Sequence, residues 1–338
     1  MTTRDASVDL AHCDREPIHI PGLVQSFGCL IACRSDSWTV SHVSANCTAF
    51  GLDAPLVLGQ PFKAAVGREA SHEVANALSV SMAPGLPGRL FDVLLASGQR
   101  CDIAVHSHAG RIIVELEPMQ TETDASTPLV IVRSMLARMQ DAADVDSLCA
   151  IAVKQIRALI NFDRVMIYRF LQDGSGCVIA ESRSDDVPSF LEHHYPASDI
   201  PRQARELYVK SWLRLISNVH AVPVPLLVAA SDATVPLDLT YSTLRSVSPV
   251  HIEYLRNMQV GASLSISIVV GGALWGLIAC HNRTARVVPP DIRVTAEFFG
   301  QAFSLQLQTL ARADAAEMLR QARDRIHQIV SELPPDEP

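Results

Sequence analysis

The stretch Ser263-Leu264-Ser265-Ile266-Ser267-Ile268-Val269-Val270, then Gly271-Gly272, then Ala273-Leu274-Trp275-Gly276-Leu277-Ile278-Ala279-Cys280 is two strand-like runs around a tight turn. Paired glycines suit the two-residue turn of an antiparallel hairpin. They do not suit a dinucleotide-binding unit, because the G-x-G-x-x-G spacing and the following helix are both missing. Working outward, Arg164–Phe170 and Gly176–Glu181 flank Leu171-Gln172-Asp173-Gly174-Ser175 and read as a second hairpin. A helix is predicted over Val145–Ile160, where Val145, Leu148, Ala152, Ile156 and Leu159 recur at helical spacing.

Upstream, the polar stretch Gln120–Pro128 has no periodic apolar face and marks a boundary. Before it come strands at Gly28–Arg34, Thr39–Val43, Cys101–His106 and Arg111–Leu116, with Ala109-Gly110 as a hairpin turn. Short helices are predicted near Pro61–Ala65 and Ser71–Leu78. This is a small sensor-like α+β domain. The whole chain has 338 residues, enough for two domains at roughly 150 residues each.

Hydrophobic residues make up 48% and charged residues 19%, which supplies real cores and rules out a disordered chain. With 28 Lys and Arg against 36 Asp and Glu the formal charge is -8, and no concentrated basic face offsets that field, so nucleic acid is not an expected partner. No apolar run reaches the roughly 20 residues that cross a bilayer. The polar opening Met1-Thr2-Thr3-Arg4-Asp5 is unlike a secretory signal. No membrane partner and a cytoplasmic location are expected.

Eight cysteines, at 13, 29, 33, 47, 101, 149, 177 and 280, lack the pairing of a zinc knuckle or a disulfide scaffold, so no metal is expected. Most read as core thiols. Cys13 differs, standing between His12 and Asp14-Arg15-Glu16 without apolar alternation to bury it. From Asp291 to about Leu333 few helix breakers occur, and Phe298, Phe299, Ala302, Phe303, Leu305, Leu307 and Leu310 are followed by Met318, Leu319, Ile326, Ile329 and Val330. A helix that long outruns a compact domain and points to pairing with another chain or to transmission into a following domain.

Three further stretches carry titratable groups. His193-His194-Tyr195-Pro196-Ala197-Ser198-Asp199-Ile200-Pro201-Arg202 reads as a loop entering a helix, with Asp199 as N-cap and Pro201 in the first turn. Arg245–Leu255 contains His251, and Cys280-His281 closes the hairpin. Taken alone, the first reads as a capped helix after a surface loop, and His251 and His281 as hydrogen-bonded structural histidines rather than catalysts.

Together they resemble one family. Cys13-Asp14-Arg15-Glu16-Pro17-Ile18-His19-Ile20-Pro21-Gly22, Tyr195-Pro196-Ala197-Ser198-Asp199-Ile200-Pro201, His251-Ile252-Glu253-Tyr254-Leu255-Arg256-Asn257-Met258 and Leu274-Trp275-Gly276-Leu277-Ile278-Ala279-Cys280-His281, in that order over nearly the whole chain, look like the photosensory module of a bacteriophytochrome. The resemblance implies an α+β fold of a PAS domain plus a GAF domain, each a central antiparallel sheet flanked by helices. It divides the chain into an N-terminal segment (1–21), PAS (22–125), GAF (135–312) and a long helix (291–333) leading toward a PHY domain. It also implies a figure-of-eight knot, with Val24 at the crossing of a GAF lariat between about Val219 and Ser246. One departure stands in the stretch after Pro21-Gly22, where Gln25-Ser26-Phe27-Gly28 replaces the usual Pro-His.

The implied cofactor is biliverdin IXα, a linear tetrapyrrole held by thioether to Cys13, since Val250 rather than a cysteine precedes His251. Arg15 favours the Cys13 thiolate. Arg214 and Arg245, helped by Ser248, Ser263 and Ser265, would take the two propionates. His251 and Asp199 would meet the pyrrole groups, and His281 the ring-D carbonyl. Tyr168, Tyr195 and Phe190 would surround ring D, with Ile200, Pro201, Tyr208 and Tyr254 completing the wall. Met166 stands in that pocket or in the core. The implied function is a red/far-red photoreceptor that isomerises the pigment at C15=C16 and signals as a homodimer through PHY. This chain itself is not expected to be an enzyme, whereas a full-length parent would be a sensor histidine kinase acting on a response regulator. The alternative is a PAS-GAF ligand-sensing or dimerisation module without a bilin.

Overall fold

Gly271 and Gly272 adopt φ of 60° and 80°, closing the hairpin in the computed structural model, which describes residues 16–81, 86–119 and 128–332. The first half carries β1 (Leu23–Val24), β2 (Cys29–Arg34), β3 (Val40–Ser44), α1 (Ala54–Val57), α2 (Phe62–Val66), α3 (Arg68–Val80), β4 (Gly88–Leu94), β5 (Arg100–His108) and β6 (Arg111–Pro118). Next come α4 (Pro128–Met139), α5 (Val145–Ile160), β7 (Arg164–Phe170), β8 (Gly176–Arg183), β9 (His194–Tyr195), α6 (Arg202–Lys210) and β10 (Leu213–Ile216). The chain ends with β11 (Val224–Val228), α7 (Pro249–Asn257), β12 (Ala262–Val270), β13 (Ala273–Asn282) and α8 (Pro290–Glu332).

The strands form two antiparallel sheets, ordered β1-β11-β3-β2-β6-β5-β4 and β10-β12-β13-β7-β8-β9. In the first, the period of two sends Cys29, Ile31, Cys33, Cys101, Ile103, Val105, Ile112, Val114 and Leu116 to one face, where α1, α2 and α3 seal an apolar core. Cys29, Cys33 and Cys101 lie in this core and Cys149 in that of the second domain, and burial pushes each thiol up to about 12.

The opposite face is buried too, but mixed. Leu30, Ala32 and Ile113 meet Val24, Leu237, Leu239 and Leu244, while Glu115 and Glu117 rise beside them, 1% and 4% exposed. Charges so placed need partners. Glu115 accepts from the Ser242 hydroxyl at 2.6 Å and from the Thr243 and Leu244 amides at 3.1 and 2.6 Å. Asp232 takes Arg34 and Arg111, each at 2.7 Å. The segment between residues 217 and 246 is thereby fastened across the first domain, and its strand β11 completes that domain's sheet between β1 and β3.

Gln25, in the stretch that departs from the family pattern, is the hub of this crossing. Its side-chain amide donates to the Leu215 carbonyl at 2.8 Å and its Oε1 accepts from the Ser217 amide at 3.3 Å. Its backbone amide donates to the Leu244 carbonyl at 2.7 Å, and Val24 bridges Arg245.

In the second sheet α5 and α8 cover one face. Helix α5 starts on a capping box, in which Asp144 accepts from the Ser147 amide, and ends on Asn161 at φ 52°. Its Leu148, Ala152 and Ile156 enter a core with Leu264, Ile266 and Ile268 of β12 and with Ala296, Phe299, Phe303 and Leu307 of α8. Phe299, Phe303 and Leu307, read from sequence as available for another chain, are therefore spent inside their own domain. Met318, Leu319 and Ile326 remain at least 62% exposed.

One sequence expectation is overturned. Asp199 does not cap a helix: it lies in a 3-10 turn, Ala197–Asp199, and Pro201 occupies the N-cap of α6. A residue before proline avoids the helical region, so Ile200 breaks the chain at φ -127° and ψ 88° and frees the Asp199 carboxylate for the pocket.

Candidate functional site

The face of the second sheet opposite α5 and α8 carries the other half of each strand's alternation. Across it run two ladders of paired residues, Arg214–Ser265–Ala279–Met166 and Ile216–Ser263–His281–Arg164. The serines of β12 thus stand on one face because Leu264 and Ile266 are committed to the core on the other. Met166 and Tyr168 join Val178 and Leu277 in a separate apolar cluster beneath this face, and Phe190, Tyr195, Ile200 and Tyr208 pack against it.

A cavity of about 470 Å³ opens here, and Phe190, Tyr195, Asp199, Tyr254 and His281 line it. Tyr168 lies behind, its ring centroid 5.9 Å from that of Tyr195. The Tyr254 hydroxyl donates to Asp199. Burial raises the Asp199 carboxyl, and this hydrogen bond opposes the rise. Burial also lifts the Tyr168 phenol to about 12. Burial thus disfavours the charged form of both groups.

His251, on α7, stacks on Tyr254 at 6.0 Å and 13°. Burial, with the nearby Arg214, pushes its imidazole down to about 4. His281 is pushed down to about 3 by burial, Arg164 and His251, and its Nδ1 is buried without a partner. Arg214 donates to the Ser246 carbonyl at 3.0 Å and to that of Arg245. Burial takes Arg214 down to about 9, helped by the charge of Arg245, and takes Arg245 to about 10. Among the described residues neither guanidinium forms an ion pair. Ser248, at the N-cap of α7, gives its hydroxyl to Glu16 at 2.6 Å. Pro201 and Ile200 are half-buried at the entry to α6. Cys13 lies outside the described residues.

The structure thus brings Phe190, Tyr195, Asp199, Tyr254 and His281 together on one cavity, whose lining does not include Met166, Tyr168, Ile200, Pro201, Tyr208, Arg214, Arg245, Ser248, His251, Ser263 or Ser265. Sequence reading missed Arg164, Met258, Gln259 and Arg283, which also line it. Arg164 was recoverable, because it stands two and four residues before Met166 and Tyr168 on the same strand face. Among the described residues no group of His, Cys, Asp and Glu is arranged to hold a metal, and no helix is long and apolar enough to cross a membrane.

Residues 13–119 match the model of the PAS fold and 144–307 that of the GAF domain. The chromophore-binding domain of a Stigmatella aurantiaca phytochrome superposes with a TM-score of 0.78 at 40% identity, covering 86% of this chain and 98% of that one. The chain belongs to the phytochrome family. Both domains of this phytochrome module are sensory folds rather than catalytic ones. It is 38% identical to a bacteriophytochrome of Pseudomonas aeruginosa over 94% of its length and 35% identical to one of Xanthomonas campestris over 96%. The phytochrome module spans 43% and 52% of those two proteins.

Proposed function

We propose that this phytochrome module is the light-sensing part of a red/far-red photoreceptor and binds a bilin, biliverdin IXα, in the cavity beside His281. The observation that carries this reading is the mismatch of charge around the cavity. Among the described residues, the half-buried Arg214 and the buried Arg245 form no ion pair with a carboxylate, and the buried His281 Nδ1 has no hydrogen-bond partner. A dianionic, flat, hydrogen-bonding ligand fits both needs, with its two propionates at the arginines and a carbonyl at His281.

In this account Ser248, Ser263 and Ser265 assist the arginines. Asp199 and His251 meet the pyrrole groups, and Tyr168, Phe190, Tyr195, Tyr208, Met166, Ile200, Pro201 and Tyr254 shape the wall. When bound, the pigment supplies visible absorption and isomerisation at C15=C16. Tyr168, Phe190 and Tyr195 would border the pigment's ring D with apolar and ring contacts rather than ion pairs. Cys13 would hold the pigment covalently: its thiol would add across a vinyl C=C, forming one C–S bond and placing its proton on the neighbouring carbon, without leaving group or redox partner.

The N-terminal segment is proposed to pass through the loop between about Val219 and Ser246, as a knot with Val24 at the crossing; the bonds of the adjacent Gln25 to Leu215 and Ser217 support this reading. Domain limits of 22–125 and 135–312 and a helix of 291–333 that continues toward a PHY domain belong to the same reading. So do a homodimer through that helix, a histidine kinase parent, a response regulator as its target, and the cytoplasm as its location.

The test is to mix purified protein with biliverdin, record visible spectra before and after red illumination, and run a zinc-fluorescence gel on wild type and Cys13→Ala. A light-responsive red band, with covalent pigment lost in Cys13→Ala, is expected. Failure of folded protein to take up pigment would favour a PAS-GAF sensor of another ligand.

A further inference from the structure

Arg164 pairs with His281 across β7 and β13, so both side chains leave the same sheet face, and both line the cavity. The Arg164 side chain is 4% exposed. Its guanidinium carbon lies 3.7 Å from the Phe190 ring centroid and its Nε 3.0 Å from Glu181 Oε1, while an Nη group donates to the Pro188 carbonyl. That Nε contact is an ion pair without hydrogen-bond geometry, whereas Glu181 accepts hydrogen bonds from the Ser189 hydroxyl at 2.6 Å and from the Phe190 amide at 3.0 Å. One guanidinium and one carboxylate, from adjacent strands, therefore hold the 188–190 wall between them.

We infer that Arg164 is a positioning residue of this pocket: clamped by Glu181, it seats the Phe190 ring and sets a fixed positive charge beside His281, so that His281 meets a ligand as a neutral imidazole. The inference rests on the pocket proposed above. A buried cation stacked on an aromatic face cannot move away without losing both the stack and its carboxylate. Burial, and then the charge of Arg164 on the paired residue of the neighbouring strand, disfavours a second positive charge on His281.

The other charges near His281 do not cancel this. His251 on α7 acts in the same direction. Burial raises the Asp199 carboxyl, opposed by its hydrogen bond from Tyr254, and raises the Tyr254 and Tyr195 phenols. Glu181 is shared with Arg183 at 3.7 Å, and Arg283 at the rim is engaged by Asp163 and Asp186.

The test follows 15N-histidine and 13C-phenylalanine signals of the whole chain without pigment, in wild type, Arg164→Gln and Arg164→Lys, with His281→Gln and Phe190→Leu for assignment. Wild-type His281 should stay neutral down to about pH 5, and Arg164→Gln should raise its midpoint by about one unit or more. Arg164→Lys should keep it low while shifting the Phe190 ring signals, because an ammonium lacks the planar stack. An unchanged His281 titration in Arg164→Gln overturns the inference. Should that variant not fold, unmoved Phe190 signals in Arg164→Lys overturn it instead. Pigment uptake is scored separately on the zinc gel: no uptake by wild type refutes the bilin and leaves the histidine titration to stand or fall by itself.

Discussion

Arg293, in the first turns of the long helix α8, places one guanidinium nitrogen 2.5 and 2.6 Å from the two carboxylate oxygens of Glu117 in the sheet of the other domain. Arg293 is fully buried and Glu117 nearly so. The helix that leaves the GAF domain is thus tied by a charge to the PAS sheet. Removing one partner strands the other, at a cost of about 3–5 kcal/mol. Arg293→Met or Glu117→Gln should lower the urea midpoint accordingly, and the double variant should cost less than the two singles added. Additive losses would show that the pair is not coupled.

The Glu115 carboxylate clasps Ser242, Thr243 and Leu244. Glu115→Gln converts one acceptor oxygen into a donor and should cost about 1.5–3 kcal/mol, the scale of one charged hydrogen bond. The segment near residue 240 should then be cut faster by protease than in wild type. Equal cleavage rates would mean that the clasp does not hold this segment.

Three buried imidazoles, His106, His251 and His281, are pushed down to about 4, 4 and 3. Their folded values lie below the unfolded value of 6.5, so the unfolded chain binds more protons as pH falls through that range. Stability should be level above pH 7 and decline from about pH 6.5 to 5. His106→Phe should flatten part of that slope. Urea titrations at half-unit intervals check both, and a profile level down to pH 5 would contradict the buried neutral state.

Gly176 faces the Tyr168 ring so closely that an added Cβ would overlap its Cζ and hydroxyl oxygen. Gly176→Ala should push Tyr168 out of its place beside Tyr195. The visible band after pigment loading should shift or broaden, while the circular dichroism of the helices stays native. An unaltered band would show that Tyr168 does not border the pigment.

Local pattern made much of this legible. The alternation through β7 and β12 and the helical spacing of α5 each bury one face against the same core, so strand and helix period pointed to the right elements. β10 and β11 escaped, because four or five residues, with Pro223 before the latter and Pro225 within it, leave no period to read. β4 is interrupted by a bulge and by Asp92 at φ 58°. The Asp199 turn was misread because Asp before a helix signals a cap, whereas Pro201 moved the helix start beyond it. The arginine clamp on Phe190 and the Asp232 link to Arg34 join residues far apart in sequence, and no local rule pairs them.

The place of β11 has a consequence for how the protein comes into being. On the ribosome, the first domain emerges long before residues 224–228, so the outer edge of β3 must wait without its neighbour while the second domain is being made. An unpaired edge invites wrong partners. The nascent chain therefore passes through a period of vulnerability that ends only when its own later sequence arrives. A gene split between the two domains would leave one half with an open edge and the other with an orphan strand, which makes this pair a single unit of inheritance as well as of folding.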